Sequence, residues 1–189
     1  MNRSLIDRLV SAIGAVMGIA LLVASGLLFY AHNYVHDQVA DQLTQQQITF
    51  PAAGSESITS LPEADRGEIE KYAGQTMQTG AQAKAFADHY IKVHLGEVAG
   101  GQTYSQVSTQ AQADRSNEEL AGQVQTLFRG ETLRGLLLNA YAFDTMATVA
   151  LIAAWASLVA GILLLLLAAL GLWHARTVAT TRSEAGVTV

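Results

Sequence analysis

Two long stretches without a charged side chain, one near each end, decide most of what this chain can become. Residues 9–31 contain no Asp, Glu, Lys or Arg, and the next charge after Arg8 is Asp37. At 1.5 Å per helical residue this stretch reaches roughly 34 Å, enough to cross a hydrocarbon layer of about 30 Å. Residues 145–173 form the second stretch, with leucine at every position from 163 to 167. It is longer than a bilayer requires, which predicts tilt or a protruding end. Phe29, Tyr30 and Tyr34 edge the first stretch, and Tyr141, Phe143 and Trp173 edge the second, as an interfacial belt would require; Trp155 falls inside. The two runs account for a charged fraction of only 14%, against about 25% in an ordinary soluble domain.

A secretory signal has an apolar core of about 7–15 residues, shorter than residues 9–31, and no small-x-small cleavage site precedes the polar segment, so the first run reads as a retained anchor. Arg3 and Arg8 precede it, whereas Asp37 and Asp41 follow with no Lys or Arg before Arg66; Arg176 and Arg182 come after the second run. The positive-inside rule then predicts a multi-pass plasma-membrane protein with cytoplasmic tails at 1–8 and 174–189. Its spans are 9–31 and 145–173, with an extracytoplasmic domain at 32–144. That domain is acidic, with Arg129 and Arg134 close to its far end. The net charge of -5 speaks against a nucleic-acid partner. The chain has no cysteine, which excludes disulfides, thiolate metal sites and Cys nucleophiles.

Within the exported segment, Val35, Val39 and Leu43 recur every fourth residue and continue the first helix outward. Phe50-Pro51-Ala52-Ala53-Gly54 breaks it, and a loop is predicted through Pro62. A helical pattern follows from Glu63 to Leu95, with an interruption near Gly80. Gly96 and Gly100-Gly101 end it. Thr103 caps a short helix to about Ala113. Ser116 and Glu119 form a capping-box pattern ahead of Leu120, Val124, Leu127 and Phe128, and Gly130 is placed to kink the lead-in to the second span. No stretch alternates as a strand would. The predicted fold is all-α: a two-span transmembrane helical hairpin with a small helical extracytoplasmic domain of modest core.

Residues that could carry chemistry also have structural readings. His32 and His36 share a helix face at chelating spacing, but no third ligand converges on that face, and they read as a polar edge at headgroup level. His89 and His94 lie five apart, about 140° around a helix, which spoils joint ligation. No serine sits in a nucleophile elbow, and Glu118-Glu119 and Glu68 with Glu70 occupy helix starts, where acids favour the dipole. No catalytic residue, metal ligand or cofactor is predicted. Gly14 and Gly18 in the first span, and Ala153, Ser157 and Gly161 in the second, repeat every four residues and mark helix packing, either of the spans on each other or on a partner's helix. Arg129 and Arg134 flank an apolar face of Leu133, Leu136 and Leu137 and can reach lipid phosphates, a partner or domain carboxylates.

Three stretches carry a resemblance: Ile48-Thr49-Phe50-Pro51-Ala52-Ala53-Gly54, His94-Leu95-Gly96-Glu97-Val98-Ala99-Gly100-Gly101-Gln102-Thr103-Tyr104, and Leu127-Phe128-Arg129-Gly130-Glu131-Thr132-Leu133-Arg134-Gly135-Leu136-Leu137-Leu138-Asn139-Ala140-Tyr141. Together they resemble a family of short two-span actinobacterial membrane proteins, whose members are often labelled aromatic-ring-opening dioxygenase subunits. The resemblance spans nearly the whole chain, contains no catalytic motif and implies a cell-envelope setting. Ring opening of that kind uses an iron held by two histidines and a carboxylate in a deep pocket. The residues themselves predict a non-enzymatic accessory or scaffolding subunit, contacting a membrane-protein partner or further copies of itself through its exported helices and spans. The alternative is an extracytoplasmic sensor acting through a partner.

Overall fold

The computed structural model describes the backbone of residues 3–185 and the side chains of residues 5–177. Arg3, Arg182 and the tail beyond residue 185, part of the charge reading above, lie outside the described side chains. Among the described residues the fold is all-α. Its helices are α1 (Arg3–Gln45), α2 (Glu56–Thr59), α3 (Glu63–Glu70), α4 (Gly80–Phe86), α5 (Lys92–Val98), α6 (Tyr104–Ala113) and α7 (Glu118–Ala185). A π-helical turn, Ala87–Ile91, joins α4 to α5. Two of these helices, α1 and α7, are long and apolar enough to cross a membrane. The chain divides into two compact units, Met1–Asn33 with Ala147–Val189, and Tyr34–Met146.

In the first unit the parts of α1 and α7 run antiparallel. Ser11, Gly18 and Ser25 are buried on one side, and Ala147, Ala154, Gly161, Ala168 and Ala175 on the other. Both sets repeat every seven residues, the period that winds a helix pair into a left-handed coil. Small side chains at this seam let the backbones approach closely, the device that replaces hydrophobic burial where the solvent is lipid. Ser25 Oγ donates to the carbonyl of Ala154 at 2.9 Å, so its buried hydroxyl is satisfied. Large aliphatic side chains, among them Val16, Leu27, Leu166 and Leu167, point outward.

The second unit is built the other way. Phe50, Ile58, Ile69, Met77, Val107 and Leu127 form its buried centre together with Val39, Leu43, Phe86 and Leu137. Rings stack through it: Phe50 lies edge-on to Phe86 at 5.2 Å and tilted on Tyr72 at 5.3 Å. Phe86 meets Tyr90 at 4.7 Å, and Tyr90 meets His94 at 4.4 Å.

Several local expectations change here. The predicted loop through Pro62 contains α2, one short turn of helix. The predicted helix from Glu63 to Leu95 breaks earlier than Gly80, after α3. Gly74, at φ +72°, reverses the chain there. The returning strand-like segment pairs with residues 48–50: Phe50 N–H donates to Gln75 O at 2.9 Å and Met77 N–H to Ile48 O at 2.8 Å, around a single bridge between Thr49 and Thr76. Thr79 then restarts the helix with a full capping box, its hydroxyl accepting from Gln82 N while Gln82 Oε1 accepts from Thr79 N. Thr103 and Gln106 form a second box at α6. The expected Ser116–Glu119 box does not form. Asn117 caps α7 instead, Oδ1 accepting from Leu120 N at 3.1 Å, while Ser116 Oγ donates to Asp114. Gly130 does not break α7. It is the seat of Leu95, whose methyl groups would overlap any Cβ placed there.

Candidate functional site

The domain carries an open groove of about 590 Å³ between residues 34–46, the end of α1 and the turn after it, and residues 133–143 of α7. Its floor is the core edge itself, Val39, Leu43 and Leu137, all buried. Leu133 and Leu136 rise from α7 as one wall, with Leu136 61% exposed. Gln38 and Gln42 of α1, with Gln46 in the turn just beyond it, line the other. Tyr34 and Phe143, each 55% exposed, sit at one end. None of the lining residues is Asp, Glu, Lys, Arg or His.

Polar side chains of the domain are committed to holding helices together. Asp144 of α7 accepts from His36 Nδ1 of α1 at 2.8 Å and from Gly80 N, the first amide of α4, at 3.1 Å. A Cβ on Gly80 would lie 2.6 Å from that of Asp144, so only glycine lets the carboxylate reach the helix start. Asp88 and His89, on the π-helical turn, point to different partners. Asp88 accepts from Arg134 at 3.0 Å and from Lys84, whose ammonium also lies 5.4 Å from the centre of the Tyr141 ring. Partial burial pushes the Asp88 carboxyl up, but the hydrogen bonds from Lys84 and Arg134 outweigh it and hold it below the usual aspartate range. The same hydrogen bond to Asp88 raises Lys84. His89 Nδ1 donates to Asp65 at 2.8 Å, and His94 Nδ1 to the carbonyl of Tyr90 at 2.8 Å.

Of the residues singled out from sequence, Gly18 and Gly161 face each other across the helix pair. A Cβ on Gly18 would lie 2.8 Å from Leu165 Cγ and 3.0 Å from Gly161 O, and one on Gly161 would lie 3.0 Å from Gly18 O. Gly14 faces Ala168 at ordinary contact distance, 3.8 Å for an added Cβ. Ala153 and Ser157 are half-buried on the flank of the seam. The buried positions that the four-residue reading did not single out are Ser11, Ser25, Ala147, Ala154, Ala168 and Ala175; the signal that finds them is a period of seven. In comparison with known proteins, no family model, no curated protein and no solved structure matches the chain. Arg134 turns inward to Asp88 and Glu131, the domain-carboxylate alternative, whereas Arg129 is exposed beside Phe128. His32, at the other end of the helix pair from Ser11, donates from Nδ1 to Ala147 O at 2.8 Å. Trp155 lies edge-on to Phe29 at 5.3 Å. No cluster of three metal-ligating side chains occurs among the described residues.

Proposed function

We propose that this chain is a non-enzymatic integral membrane protein of the cell envelope, an accessory or scaffolding subunit that contacts a partner through its exported helices and spans. The observation that carries this reading is the reversed packing of the helix pair. Its buried seam is lined by small residues, and many of its large aliphatic side chains point outward, a surface suited to lipid and to other membrane helices. The flanking charges support an extracytoplasmic domain with both tails cytoplasmic. The resemblance to two-span envelope proteins supports the same setting. His32, His36, His89 and His94, the side chains best suited to acid–base or ligand chemistry, are each engaged in hydrogen bonds that tie the fold together.

Because the chain has no cysteine, single cysteines test the reading directly. In intact cells an impermeant thiol reagent is expected to label Ala113→Cys and to spare Ser183→Cys; the reverse pattern overturns the orientation. A photo-crosslinking side chain at Val16, Leu166 or Phe128 in native membranes is expected to give one discrete adduct with a second protein. Adducts with lipid alone at all three positions remove the accessory-subunit reading. A second reading, a ligand-binding module acting through a partner, draws on the groove between residues 34–46 and 133–143.

A further inference from the structure

The groove is a liability unless something fills it. Leu133, Leu136, Tyr34 and Phe143 expose apolar surface in a contiguous patch, and patches of this kind mark interaction sites. Its volume, about 590 Å³, falls in the range of roughly 300–1,000 Å³ usual for small-molecule sites. We propose that it binds the hydrocarbon chain of an uncharged lipid, one whose head carries hydroxyl or ester groups and no phosphate.

The chemistry of the walls selects this class. The floor of Val39, Leu43 and Leu137 offers only dispersion and burial. The amides of Gln38, Gln42 and Gln46 supply both donors and acceptors, which hydroxyl and ester oxygens satisfy and a bare alkane does not. An anionic head finds no Lys or Arg in the lining. It also meets a segment, residues 32–144, in which Asp and Glu outnumber Lys and Arg. The same surplus of acids opposes the approach of a second copy of the chain.

Access follows from helix continuity. α1 is unbroken from Arg3 to Gln45, and Tyr34 is three residues beyond the apolar run that ends at Ala31, about 5 Å along the axis. Phe143 is two residues before the start of the second run. The sequence reading assigns these two aromatic residues to an interfacial belt, from which a lipid tail can leave the bilayer. The proposal therefore rests on the membrane reading above.

The test uses the full chain in phosphatidylcholine nanodiscs with a monoacylglycerol carrying a diazirine midway along its tail. Adducts are expected within residues 34–46 and 133–143, competed by unlabelled monoacylglycerol and not by lysophosphatidic acid of the same chain length. Ala140→Trp fills the groove, and Gln42→Glu places a charge on its wall at an exposed position. Each should cut groove labelling by at least about tenfold, because a filled or charged wall excludes the tail. Gln42→Glu keeps the test decisive if Ala140→Trp fails to fold. Adducts confined to residues 9–31 and 145–173 overturn the groove site and leave the membrane reading standing. Adducts nowhere in the chain overturn both. A disulfide between two Gln42→Cys copies, with groove labelling lost, assigns the groove to a second copy and overturns the lipid.

Discussion

In the helix pair the buried residues are Ser11, Gly18, Ser25, Ala147, Ala154, Gly161, Ala168 and Ala175; in the domain they include Phe50, Ile58, Ile69, Met77 and Leu127. One chain therefore uses two opposite packing rules. Where water is the solvent, large apolar side chains gain most by going inside. Where lipid is the solvent, a leucine gains little by leaving it, and the favourable change is close backbone approach with satisfied hydroxyls such as Ser25. On the membrane reading proposed above the contrast reflects two solvents, and it can be tested one side chain at a time.

The largest effect is expected from truncating the domain's core. Phe50 is 2% exposed and packed against two rings, so Phe50→Ala should cost about 3–5 kcal/mol. Near-UV circular dichroism of the tyrosines, followed during unfolding of the full chain in mild detergent, would measure it. A loss below about 1 kcal/mol, the size of an ordinary surface change, would mean this centre is not a packed core.

Next in size is the opposite change in the helix pair, adding bulk rather than removing it. Gly18→Leu drives a side chain into Leu165 and the backbone of Gly161, and overpacking of this kind costs about 1–3 kcal/mol. Gly26, on the same helix, has nothing within 4 Å of an added Cβ, so Gly26→Leu should leave stability unchanged. Equal losses from the two substitutions, read by thermal unfolding in bicelles, would remove the seam as the explanation.

Much of this was legible beforehand. The two long apolar helices and the all-α class follow from charge-free length and absent alternation, and Thr103 caps α6 as expected. Thr79-x-x-Gln82 carries a capping-box pattern and would have placed the start of α4. What hid the break after α3 is non-local: Gly74 turns the chain so that residues 75–77 can pair with residues 48–50, and nothing within residues 63–79 encodes that partner. The seam was half-read for a different reason. Four-residue repeats of small residues are frequent in any Ala/Gly-rich span, whereas the seven-residue register of Ser11, Gly18 and Ser25 is the one that the packed seam uses. Gly130 shows the same limit, since a helix-breaking residue in isolation becomes a socket once Leu95 is opposite. The groove is invisible in one dimension, because its two walls come from segments about ninety residues apart.

A smaller effect separates the domain's ionic ties from its core. Asp88 is held below the usual aspartate range, against the pull of burial, by Lys84 and Arg134. A lowered carboxyl stabilises the fold above its unfolded value, near pH 4, and that contribution is lost as pH falls through the folded value. Asp88→Asn should remove about 1 kcal/mol at pH 7, the scale of a partly exposed ion pair. It should also flatten the acid limb of stability against pH below about 4. A mutant whose acid limb remains as steep as that of the parent would show that Asp88 is not the carboxylate responsible.

The smallest expected effect is the sharpest test of the two-solvent contrast, because the same substitution is made on both sides of it. Leu127 is 2% exposed in the domain and Leu166 is 57% exposed on the outer face of the helix pair. Leu127→Ala leaves a cavity that neighbours only partly fill and should cost about 2–5 kcal/mol. Leu166→Ala leaves no cavity, since lipid tails flow into the space, and the change should stay within about 0.5 kcal/mol. Both are measured by thermal unfolding in the same bicelles, so differences in detergent do not enter. A Leu166→Ala loss as large as that of Leu127→Ala means that position 166 is packed against protein in the assembled state. The outer face would then be an interface rather than a lipid boundary, and comparing the loss at high and low protein concentration would tell a second copy from an internal contact.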